Sequence, residues 1–544
     1  GRHDNFFDLG GDSIRSIQVL GHARDAGVSF ALQDLLDHPT PAGLAAAAAR
    51  ASREDTSALP AGPFALLPDG DRALLPDGLD DAYPMAELQT GMVYEQERSP
   101  GRNPYHNVET LRLAGPFDEA AFRAALAAVV ARHPVLRTSF DLNRYSEPLQ
   151  LVHTRATTPL TVTDLRGLDA AGQEAALAEL VREQQREALP LDRAPLWRMA
   201  VHLLSDDAFQ WTITEHHAIL DGWSLASTLA EISAGYRARQ AGRHPRPEPP
   251  RSTFRDFVAA ERAALASPDS ERFWRELLAD RPDPELPRVG AAGLPAAALR
   301  RVPGERHRSD TAAGRGALET PVAPELTTAL EAFARRAGVP FKSVLLAAHL
   351  RVLGVAGGTT DVVTGLSSNG RLEEADAAEA RGLFLNTLPF RMRLPGGSWA
   401  DLARAVHAAE RAMLPHRRYP MAAMRRKLGG GPLFAAGFVH HHFHQLDGAP
   451  LATGAAEQPV AGAGWTTFPL LVSLSREPGA DGLRLDLEYD ATELTAGQAG
   501  WLREAHLRAL EAMAAAPEAP YGPVSLLPAG ERERVASWSG GGRT

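Results

Sequence analysis

The sequence predicts a small all-α unit followed, across a linker, by a large two-lobed α/β body. Three observations carry that reading. Residues 1–52 show helix starts and stops and no strand pattern. Residues 53–78 turn rich in Pro, Gly, Asp and small side chains. From Leu79 to about Leu527 helical and extended stretches alternate, and an order of helices then strands returns in the second half. This reads as two α/β lobes meeting between 230 and 320.

Each element has a local reason. Ser13 precedes the apolar series Ile14, Ile17, Leu20 and Ala23, closed by Gly27: a helix with a serine cap and a glycine stop. Thr40 and Pro41 open a second, alanine-rich helix. The hexapeptide Ala-Leu-Leu-Pro-Asp-Gly stands at 65–70 and again at 73–78, two local turns in a stretch of about 25 residues that spans on the order of 80 Å when extended. In the body, Asp118 starts a helix with Phe122, Leu126, Val129 and Val130 on one face, and Val135 to Phe140 turns extended. Ala200–Leu204 and Phe209–Thr214 read as strands joined by a Ser-Asp-Asp turn. Helices at 324–336 and 341–354 then lead into a strand at Asp361–Leu366, while 282–316, rich in Pro, Gly, Ala and Arg, reads as an exposed insertion.

Composition removes several chemistries. The 544 residues contain no cysteine, so the chain itself supplies no disulfide, zinc–thiolate site, iron–sulfur cluster or cysteine nucleophile. A net charge of −10 argues against nucleic acid or an anionic membrane as partner. Of the 57 basic residues only Lys342 and Lys427 are lysines, and neither follows a glycine, so a phosphate loop with its Gly-Lys pair is absent. No apolar run reaches the roughly 18 to 20 residues of a membrane span, and Gly1 to Asp8 has no signal-peptide core. The expectation is a soluble, cytoplasmic protein.

Two strings carry chemistry. In Asp8-Leu9-Gly10-Gly11-Asp12-Ser13-Ile14, paired glycines free the backbone before a helix and set Ser13 where a phosphate on its hydroxyl would face the helix amino terminus. The residues alone allow either that or an ordinary serine cap. In Glu215-His216-His217-Ala218-Ile219-Leu220-Asp221-Gly222-Trp223-Ser224, adjacent strand residues face opposite ways, so only one of the two histidines readily addresses a given cavity. The same geometry disfavours metal binding by the pair, and the His spacing of zincins is missing.

The longer string from Asp4 to Ile14 closely resembles the core motif of peptidyl carrier domains, whose serine bears a 4′-phosphopantetheine arm. The string at 215–224 resembles the His-His-x-x-x-Asp-Gly motif of condensation domains in nonribosomal peptide synthetases and of their acyltransferase relatives. Further strings fall in that family's order: Tyr83-Pro84-Met85 to Met92, Arg132 to Phe140, Phe254-Arg255-Asp256-Phe257 with Phe273-Trp274, Gly382 to Arg391, Tyr419-Pro420 and Phe468-Pro469-Leu470. Read without the resemblance, Arg132 to Phe140 is a helix end and a core strand, and Phe254, Phe257, Phe273 and Trp274 are packing. His440, His442 and His444 would share one strand face, as a polar channel wall rather than a metal site. His416 beside Arg417 and Arg418 reads as a solvated basic patch or a carrier contact.

The resemblance implies a small α-helical carrier bundle and a condensation body with the fold of chloramphenicol acetyltransferase, a pseudo-dimer with a central tunnel. The expected boundaries are a carrier at 1–52 lacking its first helix, a flexible linker at 53–78, lobes at 79–250 and 251–527, and from 528 to 544 the start of a linker to a downstream adenylation domain. By resemblance Ser13 bears 4′-phosphopantetheine, added by a phosphopantetheinyl transferase, and presents the donor acyl thioester. The amine of an aminoacyl group on a downstream carrier attacks it. His217 orients that amine and takes its proton; His216, Asp221, Gly222 and Arg371 support the site, Asp221 in an ion pair with Arg371 and Gly222 offering an amide N–H to the oxyanion. No metal is implied. Leu220 to Ser224 resembles domains that accept an L-configured or glycine donor. Alternatives are an epimerisation domain and a catalytically silent docking module.

Overall fold

The computed structural model describes residues 1–7, 9, 11, 13–48, 62–98, 105–286, 302–310, 314–374, 376–442, 468–476 and 482–528. Three helices form the first unit: α1 (Ser13–Asp25), α2 (Leu32–Asp37) and α3 (Pro41–Ala48). Ile17, Leu20 and Leu35 bury its small core.

Residues 62–78 are not a flexible linker as expected. Phe64, Leu67 and Leu75, with the short helix α4 (Asp69–Arg72), pack against the first sheet of the body beside Tyr145, Leu149 and Leu151. Buried Asp71 accepts hydrogen bonds from the Ser146 backbone N–H (3.0 Å) and its hydroxyl, and Asp81 accepts from the Phe64 N–H (2.7 Å). Proline and glycine here make tight turns whose apolar side chains find a surface to cover, a contact that composition does not report. Residues 49–61, between the two units, lie outside the described residues.

The first lobe runs through β1 (Leu79–Pro84), α5 (Glu87–Arg98), β2 (His106–Ala114), α6 (Glu119–Arg132), β3 (Thr138–Asp141), β4 (Leu149–His153), β5 (Leu160–Asp164), α7 (Ala170–Arg186), β6 (Trp197–Ser205), β7 (Ala208–His216) and α8 (Gly222–Gln240). Its sheets have the orders β1-β4-β3 and β2-β7-β6-β5. Asp118 does cap α6, accepting from the Ala121 N–H at 3.0 Å, and Phe122, Leu126, Val129 and Val130 are buried.

The second lobe holds α9 (Phe254–Leu265), α10 (Pro268–Leu278), β8 (Arg306–Asp310), β9 (Arg315–Pro321), α11 (Pro324–Ala337), α12 (Phe341–Gly357), β10 (Asp361–Asn369), β11 (Leu385–Arg393), α13 (Trp399–Met413), α14 (Met421–Lys427), β12 (Ala436–His442), β13 (Leu470–Arg476), β14 (Leu483–Asp490) and α15 (Ala496–Ala515). One seven-stranded sheet, β11-β10-β12-β13-β14-β9-β8, is backed by α12, which packs against α11, α13 and α15. Two expectations need correction. The exposed insertion at 282–316 contains β8 and the start of β9, which close the edge of this sheet, while its part at 287–301 lies outside the described residues. The lobe boundary at 250/251 does not separate the two cores, because Phe254, Phe257 and Val258 of α9 pack into the first lobe's core together with Leu383 and Phe384.

The carrier unit rests on the second lobe through Arg24–Glu374 (2.8 Å), Asp25–Arg251 (3.2 Å) and Asp37–Arg411. Its Phe7 and Leu36 line a small cleft together with Val339, Pro340 and His407. Partly exposed pairs of this kind contribute about 0–1 kcal/mol each, so the carrier is held lightly.

Replacing Asp71 by Ala should leave the Ser146 N–H unpaired and lower stability by about 1–3 kcal/mol. Limited proteolysis is then expected to cut within 62–78 in the variant and to spare that stretch in the parent protein.

Candidate active site

The site begins with strand register. β2 and β7 are antiparallel neighbours that set His106 opposite His216 and Asn107 opposite Glu215. Alternation sends His216 into the lobe and Glu215 and His217 to the other face. His216 is fully buried. Its Nδ1 accepts from the Ala218 N–H (3.1 Å) and its Nε2 lies 2.6 Å from the Gln96 carbonyl, the pattern of a neutral ring with its proton on Nε2. Burial, then the nearby His106 and His217, lowers its pKa from 6.5 to about 3. Burial and the Arg198 charge likewise lower His106 to about 4.

His217 follows the strand, held by its N–H donating to the Tyr105 carbonyl at 2.8 Å, with its ring turned to a cavity. Asn107 Nδ2 donates to Glu215 Oε1 (2.6 Å) and lies 3.3 Å from His217 Nδ1. Burial opposes charge on this imidazole. The Glu215 carboxylate, then the Asp221 charge and the Leu220 carbonyl, outweigh it and raise its pKa above the usual 6.5. Gln89, wholly buried, donates to the Ala218 carbonyl at 2.8 Å and pins the turn that follows.

Asp221 joins the lobes. It caps α8, accepting from the Ser224 N–H at 2.7 Å, while its other oxygen accepts from the Phe384 N–H at 3.0 Å and its own N–H donates to the Gly382 carbonyl at 2.9 Å. Arg371, fully buried, reaches it at 3.3 Å and also donates to Ser224 Oγ (2.7 Å), to Ala377 O (2.9 Å) and to Ala380 O (2.6 Å). The guanidinium lies over the Phe384 ring, 3.9 Å from its centroid. Gly222 opens α8 on the cavity wall, where a helix start leaves N–H groups without intrahelical partners. Gly382 meets the Phe254 ring so closely that a Cβ there would lie 2.3 Å from it.

A cavity of about 1440 Å³ lies between the lobes. Gly11, Ser16 and Ile17 of the carrier line it together with Glu215, His217, Asp221 and Gly222. Ser13 begins α1 between those carrier residues. His216 and Arg371 stand behind the wall. Sequence reasoning passed over Glu215 and Asn107, although Glu215 was two positions before His217 and period-two alternation put the pair on one face.

Other readings resolve differently. His440 lines the cavity, its Nδ1 2.7 Å from the Leu474 carbonyl; the side chains of His441 and His442, and His444, lie outside the described residues. Among the described residues no group of three or more His, Cys, Asp or Glu side chains could hold a metal ion. His416 does not stand in a solvated patch: it stacks on Phe273 at 4.3 Å and meets Ser270 Oγ at 3.0 Å, while Arg417 and Arg418 share Glu373. Asp8, Gly10 and Asp12 of the carrier string, the linker residues 53–61 and the segment 529–544 lie outside the described residues. Among the described residues no single helix is long and apolar enough to cross a membrane.

Two lobes thus enclose a histidine-bearing cavity that an α-helical unit also lines. The chain belongs to the condensation-domain family, which matches residues 80–535, and a phosphopantetheine attachment site matches residues 1–48. It is 38% identical over 534 residues to the AMB antimetabolite synthetase AmbE of Pseudomonas aeruginosa, covering 96% of this chain and 24% of that protein. It is 30% identical over 456 residues to the probable non-canonical nonribosomal peptide synthetase CymA of Salinispora arenicola, covering 81% of this chain and 5% of that protein. The chain therefore spans a quarter or less of the length of these relatives. Among solved structures, the first condensation domain of the calcium-dependent antibiotic synthetase, in complex with a substrate analogue, superposes with a TM-score of 0.64 at 25% identity, over 82% of this chain and 99% of that one. The two-lobed condensation fold and the condensation family stand, with no support for epimerisation.

Truncating Arg371 to Ala should strand Asp221 without its cation and cost about 3–5 kcal/mol by urea unfolding. His106 and His216 carry folded pKa values below the ordinary 6.5, so their contribution to stability is present above pH 6.5 and is lost as pH falls toward about 4 and about 3. The urea midpoint should drop over that interval, and His106→Gln should flatten the slope.

Proposed function

We propose that this chain makes an amide bond between two carrier-bound substrates. The donor acyl group is a thioester carried at Ser13, and the amine of a downstream carrier-bound aminoacyl group attacks it. The observation that carries this reading is that one cavity is lined both by the residues flanking Ser13 and by His217. The 4′-phosphopantetheine arm fits that arrangement: Ser13 would hold it, and the cavity leads from the carrier to the histidine. When bound, the arm supplies the thiol that a cysteine-free chain lacks.

A thioester is an activated acyl donor, and an α-amine of pKa about 7.7–8.0 is partly neutral near pH 7. Alignment of two tethered reactants is worth about 7–11 kcal/mol, against roughly 10²- to 10⁴-fold for base assistance, so holding the reactants in line dominates. His217 orients the amine and accepts its proton. His216 is a structural neighbour, the Asp221–Arg371 pair holds the turn, and Gly222 offers its N–H to the oxygen that gains charge. Partners are a phosphopantetheinyl transferase and the downstream carrier and adenylation domains. The net charge of −10 supports a chain with no nucleic-acid or anionic-membrane partner, and we place it in the cytoplasm.

Incubation with coenzyme A and a phosphopantetheinyl transferase should add a pantetheine-sized mass that Ser13→Ala abolishes. With that arm loaded and a loaded downstream carrier supplied, His217→Ala is expected to slow product formation by about 10²- to 10⁴-fold. An unchanged rate would favour the silent docking module instead.

A further inference from the structure

Glu215 is an ionisable side chain that the mechanism above leaves idle. It is 1% exposed, yet its carboxylate is on the wall of the cavity. Oε1 receives the Asn107 amide at 2.6 Å, and Oε2 is buried with no hydrogen-bond partner among the described residues. The one cationic group within 4 Å of it among the described residues is His217, whose Nδ1 lies 3.9 Å from Oε1. A buried carboxylate without a charge partner is costly. Asn107 sits between the two, donating to Glu215 and 3.3 Å from the ring.

We propose that Glu215, clamped by Asn107, is the positioning residue for His217, serving as the fixed counter-ion that sets the ring's orientation and lets it take up the proton released in amide formation. This rests on the reading of His217 given above. In that step the amine nitrogen bonds to the acyl carbon and the carbon–sulfur bond breaks. One amine proton passes to His217 and then to the departing sulfur, so the products are an amide and a thiol and no co-reactant is needed. Burial alone would keep the His217 ring neutral; Glu215 supplies the opposing charge, in keeping with the raised pKa of the ring. The cavity wall also carries Tyr105 and Glu109 on the β2 side, Glu87 and Glu95 of α5, and Asp221, and from the second lobe Glu331, Arg335, Lys342, His407, Glu410, Arg411, Arg417, Arg425, His440, Arg476 and Glu488, while Arg371 already engages Asp221.

The test follows the His217 ring by NMR titration of the ¹³C-histidine-labelled protein, without loading, its signal assigned by its loss in His217→Gln. The wild-type ring should titrate above pH 6.5, and Glu215→Gln should move its midpoint down by about one pH unit or more, as expected for loss of a nearby opposite charge. The acid limb of kcat/KM for amide formation should move down with it, kcat should fall about 10- to 100-fold, and Glu215→Asp, which keeps the charge, should restore the limb. An unmoved midpoint overturns the proposal. If Glu215→Gln does not fold, Glu215→Asp and Asn107→Ala carry the test: wild-type kcat in both overturns it, and a lowered kcat in both, with the limb unmoved in Glu215→Asp, supports it. A His217→Ala variant that keeps the wild-type rate instead defeats the reading of His217 and leaves the titration result standing.

Discussion

A guanidinium buried between two lobes governs this architecture. Arg371 donates to Asp221, to a serine hydroxyl and to two main-chain carbonyls, and stacks on Phe384. Burying such a charge is unfavourable unless its N–H groups find acceptors, and here the acceptors come from segments far apart in sequence. The strand-to-helix turn at 217–222 from the first lobe and the 377–384 segment from the second are therefore held in one relation. Everything that touches substrate in the proposed reaction hangs from that turn: His217 before it, Gly222 at the head of α8, and the cavity between them.

Against this rigid centre the carrier is held by a few partly exposed ion pairs and a small apolar contact. The contrast suits a unit that has to deliver a group and leave. Strong docking would slow release, whereas about 0–1 kcal/mol per exposed pair allows exchange. The anchoring of 62–78 adds a second constraint, because that stretch packs on the first sheet of the body instead of spanning freely between the units.

Much of the fold was legible along the chain. Asp118 and the apolar face at Phe122, Leu126, Val129 and Val130 are a helix whose cap and core side are both local properties. The strands at 200–204 and 209–214 extend to 197–205 and 208–216 around the anticipated turn. What local pattern could not supply was which surface a segment would cover. Phe254 and Phe257 read as packing, but not as packing into the other lobe's core. Residues 282–316 read as an exposed insertion because they are rich in Pro, Gly, Ala and Arg, and the edge strand β8 tolerates such a composition where an interior strand does not.

By itself the sequence determined the chemistry on offer: no thiol, a serine that follows paired glycines and opens a helix, and two adjacent histidines facing opposite ways. Those follow from residue type and the short-range geometry of strands and helix starts. Only the tertiary structure decided that Asn107 stands across the strand pair from Glu215, that Arg371 closes on Asp221 from another lobe, and that the carrier lines the cavity of His217. These are contacts between residues separated by about a hundred positions or more, chosen by burial and by the pairing of polar groups that burial brings together, which no local window of sequence contains.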